Sequence, residues 1–180
     1  MSKTGSLHYQ LCQEGAKWLH KRKKTNCRQC PAFGNKYCDA CRRCLYVAVE
    51  LNTYAAEHTD VWGFDGFCTT VIEVKTSHKD FLLDRKKYWR TTETQYQAGN
   101  KRWYLCPEGV ISPDELPEGW GLLYWTGKDI NVVVAPETRL HGCHGDLVIL
   151  YSILRRENFS QKIYNYRGTN TTIKSQNDHV

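Results

Sequence analysis

At 180 residues the chain suits one domain with one core, and six Trp and eleven Tyr supply enough apolar mass to exclude a disordered chain. A formal net charge of +6 fits a polyanionic partner and an ordinary soluble surface about equally. No apolar run approaches the ~20 residues of a bilayer span, and Met1 to Leu11 lacks a signal-peptide pattern. The expectation is therefore a cytoplasmic chain with no membrane partner.

Leu7 to His20 reads as a helix, because Leu7, Leu11, Cys12, Ala16 and Leu19 recur at helical spacing. Cys27 to Cys44 is polar, compact and rich in Cys, with Pro31 and Gly34 as breakers. Cys44 to Leu51 reads as a strand, with Leu45, Val47, Val49 and Leu51 on one face and Glu50 on the other. Val61 to Phe64 and Phe67 to Val74 are strand-like runs joined by Asp65-Gly66, a strong hairpin signal because a tight turn needs positive φ values. Ser77 followed by Asp80 resembles a helix N-cap, with Phe81, Leu82, Tyr88 and Trp89 supplying an inner face through about Arg90.

Thr91 to Asn100 is polar and reads as a loop, and Arg102 to Cys106 as a short strand. Pro107 to Gly119 is a loop with one helical turn at Asp114 to Leu116. Gly121 to Trp125 and Ile130 to Ala135 read as strands, and Leu147 to Arg156 as a closing helix. From Glu157 onward Asn, Ser and Thr dominate. The predicted organisation is one domain over 1–156, with a metal knuckle at 26–44 and a loosely ordered tail over 157–180. This is an α/β plan, helices around a mixed central sheet.

Strand alternation puts Glu73 and Lys75 on one face and Val74 on the other, towards the core. Folding at Asp65-Gly66 brings Asp60 back beside Glu73, so two carboxylates and an ammonium converge at one sheet edge. Two carboxylates suit a hard divalent cation such as Mg²⁺ or Mn²⁺, with the main-chain carbonyl of Val74 as a further ligand. Such a metal lowers the pKa of a bound water, and Lys75 would orient that water and stabilise developing charge. Taken alone, a Glu-x-Lys pair on a strand is more often a surface ion pair, and Asp60 could be a turn residue.

Nine Cys in a reducing compartment point to metal rather than disulfides. Cys27-x2-Cys30, seven residues, then Cys38-x2-Cys41 is a paired-hook spacing for a tetrahedral zinc site, with Cys44 able to replace Cys41. Cys12, Cys68, Cys106 and Cys143 read as buried small hydrophobes. Lys21, Arg22, Lys23 and Lys24 with Arg42 and Arg43 bracket the knuckle, and Lys79, Arg85, Lys86, Lys87 and Arg90 form a second basic run. Trp18, Tyr88 and Trp89 interleave with these runs, as phosphates and unpaired bases require. A solvated helix face accounts for each run about as well.

Asp60, a hairpin and Glu73-Val74-Lys75 together resemble the PD-(D/E)XK nuclease superfamily. Glu73 to Lys86, with its Glu-x-Lys strand running into a Ser-x-x-Asp-Phe helix start, looks like a branch of small bacterial and phage DNA-repair-type proteins. Arg102 to Ile111 and Leu116 to Tyr124 look like that branch too, and the match spans roughly Tyr46 to Ala135. The Cys-rich segment is not part of the common pattern, and Thr59 stands where the signature Pro would be. The resemblance implies a restriction-endonuclease-like sheet and a metal-dependent nuclease acting on DNA in repair, recombination or phage replication. It implies that Asp60 and Glu73 bind metal and Lys75 assists the water, with Glu50 as auxiliary carboxylate and Glu57 second. Some nucleases of this superfamily carry an iron–sulfur cluster, so that is the competitor to zinc at the knuckle. The alternative function is a non-catalytic zinc-knuckle module that holds nucleic acid on a nuclease-like scaffold.

Overall fold

The computed structural model describes residues 6–21, 43–54, 57–87, 90, 97–139 and 144–157, and the backbone of 162–164 and 170–172. The elements, in chain order, are α1 (Leu7–Lys21), β1 (Tyr46–Val49), β2 (Val61–Phe64), β3 (Thr69–Val74), α2 (His78–Asp84), β4 (Lys101–Pro107), a 3₁₀ turn (Pro113–Glu115), β5 (Gly121–Trp125), β6 (Ile130–Val134) and α3 (His144–Arg156). Where a loose tail is expected, β7 (Lys162–Tyr164) and β8 (Asn170–Thr172) pair as an antiparallel ribbon. The Cys27, Cys30, Cys38 and Cys41 knuckle lies outside the described residues, as do Lys23, Lys24 and Cys143. Among the described residues, no helix is long and apolar enough to cross a membrane.

Strands β1 to β6 form a six-stranded sheet in sequence order. β1, β2 and β3 are antiparallel, β3, β4 and β5 run parallel, and β6 returns antiparallel. The fold is thus α/β, with a mixed central sheet flanked by helices. β3 is buried along its whole length, as expected of a strand covered on both faces.

The two faces are packed by alternate residues. Leu11, Cys12 and Leu19 of α1 pack on Val61, Ile72, Val74, Trp103, Leu105 and Leu123. On the opposite face Phe81 of α2 joins Tyr104, Cys106, Ile111, Trp120 and Leu122. Ile149 of α3 joins Trp62, Val71 and Ala98. Helix α1 approaches the sheet closely at Gly63, where an added Cβ would come within 2.7 Å of the Cys44 sulfur and 3.0 Å of Leu19. Cys44 therefore belongs to the hydrophobic core, which corrects its assignment as a spare knuckle ligand. Trp18 packs edge-on against Trp103, with ring centroids 5.5 Å apart.

Several local expectations are refined. The β2–β3 turn is longer than the two residues Asp65-Gly66, because Phe64 pairs with Thr69. Gly66 supplies the positive φ of 96°, and Asp65 Oδ1 accepts the Phe67 and Cys68 N–H groups at 2.8 Å each. Ser77 caps α2, its hydroxyl accepting the Asp80 N–H at 3.2 Å. That helix ends at Asp84 rather than about Arg90, and Leu82 lies on its outer side. Strand β1 ends at Val49, because Glu50 adopts φ +43° and leaves the extended region. Glu50 is therefore not a strand residue facing away from Val49.

Candidate active site

Asp60 precedes the first residue of β2, and Val61 pairs with Ile72, so the hairpin register sets Asp60 beside Glu73. Asp60 Oδ2 accepts the Val74 N–H at 2.7 Å, which fixes the carboxylate against the end of β3. The Glu50 N–H donates to the Asp60 carbonyl at 2.8 Å, holding the chain after β1 next to the same point. Glu73 and Lys75 share a face as alternation requires, with Lys75 Nζ 3.6 Å from Glu73 Oε2. Asp60, Glu73 and Lys75 are thus brought together.

Glu73 is almost fully buried. Its Oε2 faces Arg90 Nη2 at 3.1 Å as well as Lys75. Its Oε1 is buried and has no hydrogen-bond partner among the described residues. Burial pushes its pKa up to about 7, with Asp60 adding to the rise and the Arg90 and Lys75 charges opposing it. Burial lowers the Lys75 pKa, but Glu73 and Asp84 outweigh it, and the net shift is upward. Lys75 is accordingly an ammonium.

A buried charge network holds these two residues from behind. Lys75 Nζ lies 3.2 Å from Asp84 Oδ1, and Lys87 Nζ reaches the same oxygen at 2.7 Å. Asp84 Oδ2 accepts from Arg90 Nε at 2.8 Å and from the Tyr104 hydroxyl at 2.9 Å. Burial raises the Asp84 pKa, yet the hydrogen bond and charge of Arg90 reverse this and hold it well below the usual carboxylate range. Glu57 binds both Arg90 and Arg102 and accepts the Ala98 N–H at 3.1 Å. Both guanidinium groups sit over the Trp120 ring, at 4.9 and 4.5 Å from its centroid.

This network revises two sequence assignments. Arg90 is no phosphate contact, because its side chain is 6% exposed and committed to Glu57, Glu73 and Asp84. Asp84 anchors Lys75 and Arg90 from the inner face of α2. Glu57 is no auxiliary metal ligand, because its oxygens are taken by two arginines and a backbone N–H. Lys79, Arg85, Lys86 and Lys87 remain exposed, with Arg85 over the Phe81 ring at 5.7 Å.

The open side of the site faces the other way. A cleft lined by Glu50, Leu51, Asn52, His58 and Thr59 reaches Asp60. His8, on the first turn of α1, places Nε2 3.5 Å from Asp60 Oδ1 and 3.4 Å from Glu50 Oε1. The Asp60 hydrogen bond raises the His8 pKa against the effect of burial. Sequence reading missed His8, although its spacing of four from Cys12 on a helix was a signal that both face one way.

The donor set fits a divalent cation: an anchored carboxylate at Asp60 and a buried carboxylate oxygen at Glu73 with no hydrogen-bond donor among the described residues. Comparisons with family models and with curated proteins give no match. Among solved structures, a protein of unknown function from Silicibacter pomeroyi is similar over 63% of this chain and 75% of its own, at 23% identity and a TM-score of 0.46.

Proposed function

We propose that the protein is a divalent-metal-dependent phosphodiester hydrolase, a nuclease acting on DNA. The observation that carries this reading is the unsatisfied Glu73 Oε1 at a point where Asp60 and Lys75 converge. Burying a carboxylate oxygen with no donor is costly, and an arriving cation would remove that cost. Asp60, Glu73 and the Val74 carbonyl would hold Mg²⁺ or Mn²⁺, with Glu50 as auxiliary carboxylate at the cleft. When bound, the metal supplies Lewis acidity towards phosphate and a water of lowered pKa.

The chain's own residues do the rest. Asp84 and Glu73 hold the Lys75 ammonium in one place, so it can orient a water and meet developing negative charge without rearranging. Arg90 keeps one Glu73 oxygen engaged and leaves the other free. Lys79, Arg85 and Lys86 offer exposed positive charge on and just after α2, suited to a phosphate backbone. The Cys27, Cys30, Cys38 and Cys41 knuckle is proposed as a separate zinc staple, with an iron–sulfur cluster as its competitor.

The test is cleavage of single-stranded, duplex and branched DNA with Mg²⁺ or Mn²⁺ by the wild type, Glu73→Ala and Lys75→Ala. Cleavage that disappears in both variants supports the enzyme. Tight binding without cleavage in either metal overturns it and leaves a binding module.

A further inference from the structure

Helix α1 contributes two metal-ligating side chains to the neighbourhood of Asp60. His8 and Cys12 stand four residues apart, one above the other on the same helical face. One donor atom from each of His8, Cys12 and Asp60 lies within 4.8 Å of the other two. The His8 nitrogen is already 3.5 Å from Asp60 Oδ1 and 3.4 Å from Glu50 Oε1. Those separations match the ~3.3–3.7 Å edges of a tetrahedron whose centre lies ~2.0–2.3 Å from N, O and S ligands.

We propose that His8, Cys12 and Asp60 form a transition-metal site for Zn²⁺ or a similar borderline-soft cation, with its fourth position open to water or a ligand. The donor chemistry separates it from the site at Asp60 and Glu73. Imidazole and thiolate suit Zn²⁺ and Co²⁺, whereas Mg²⁺ prefers oxygen and water. The core position of Cys12 alone is what any buried thiol would show. What distinguishes it is that its sulfur lies within 4.8 Å of donor atoms of His8 and Asp60. Three protein donors with a partly open outer side match a zinc site that keeps a position for water or a fourth ligand. Asp60 would be common to both sites, so zinc and the hard cation would compete for it. That competition alone rests on the nuclease reading; the binding site does not.

The test uses the full chain without DNA, so a failed cleavage assay leaves it intact. Zn²⁺ is titrated against a chromogenic chelator into wild type, His8→Asn and Cys12→Ala, and Co²⁺ absorption is recorded for each. Any metal held by the knuckle is common to all three. Each variant is expected to bind one equivalent fewer than wild type, or to bind it at least tenfold more weakly. The cobalt difference spectrum, wild type minus variant, should show thiolate-to-cobalt charge transfer. Equal stoichiometry and affinity in all three proteins overturns the proposal, as does loss in only one variant. Should Cys12→Ala fail to fold, His8→Asn decides by the presence or absence of that band, since His8 is a third exposed and its loss spares the core.

Discussion

Two carboxylates on one side of the sheet have opposite fates. Asp146, on the first turn of α3, is buried and fully used. Its Oδ1 accepts the Trp62 indole N–H at 2.8 Å and the Gly99 N–H at 3.0 Å, and its Oδ2 accepts the Thr69 hydroxyl at 2.9 Å. It pins α3 to β2, β3 and the loop before β4. Glu73 is as deeply buried, yet faces two cations on one oxygen and, among the described residues, no hydrogen-bond donor on the other. A folded chain that satisfies one acid with three neutral donors could satisfy the other in the same way. The contrast separates an acid whose oxygens are both engaged from one with an oxygen left without a hydrogen-bond donor among the described residues.

Substitutions can break that contrast. The largest effect is expected at Glu73→Gln, which should reduce metal-dependent cleavage about 1,000-fold, the scale of one well-placed electrostatic group. The variant should lose less stability than Asp84→Ala, because Lys75 and Arg90 keep Asp84 as counter-charge and the amide oxygen can still accept from Arg90; a loss as large as that of Asp146→Ala would put Glu73 in the same class as Asp146. Asp84→Ala should cost about 4 kcal/mol in denaturant unfolding, because Lys75 and Arg90 would lose a buried counter-charge. Asp146→Ala should cost about 3 kcal/mol through its orphaned donors. Cleavage per folded molecule should then survive, which an activity assay normalised to folded protein checks.

Acidity offers a finer distinction. Glu73 titrates near pH 7 in the metal-free protein, against an ordinary value of 4.5. The folded state then binds more protons than the unfolded state between those values, so stability falls as pH rises through that window. The slope should become shallower in Glu73→Gln, leaving the part due to the raised pKa of His8, as read from urea midpoints at pH 5, 6 and 7. The smallest effect is expected at Arg85→Ala, which should lower the salt dependence of DNA binding by about one charge and leave its sequence preference unchanged.

Much of the architecture was legible because the periods are clear. The 3.6-residue period of α1, the alternation around Glu73 and the Asp65-Gly66 punctuation each specify a local shape. Together they carry Asp60, Glu73 and Lys75 to one place. The supporting shell was not legible. Asp84 follows Phe81 by one helical step, and no local pattern tells a buried acid from an exposed one. Arg90 sits in a basic run that reads as solvent-facing, but α2 stops at Asp84 and the chain beyond it delivers Arg90 beneath Trp120. The available clue was Arg102 on a strand that reads as buried: a cation there needs a counter-ion from elsewhere in the chain. Glu50 was misplaced because Leu51 extends the apolar alternation two residues beyond the real strand end.

The cap of the first helix has a practical consequence. Ser6 closes α1 by accepting the Tyr9 N–H on its hydroxyl at 3.2 Å, and His8 follows two residues later against Asp60. A polyhistidine affinity tag fused ahead of this helix would supply rival imidazoles for any metal that His8 binds. Metal titrations and cleavage assays should therefore be run on protein tagged after Val180 or with the leading tag removed.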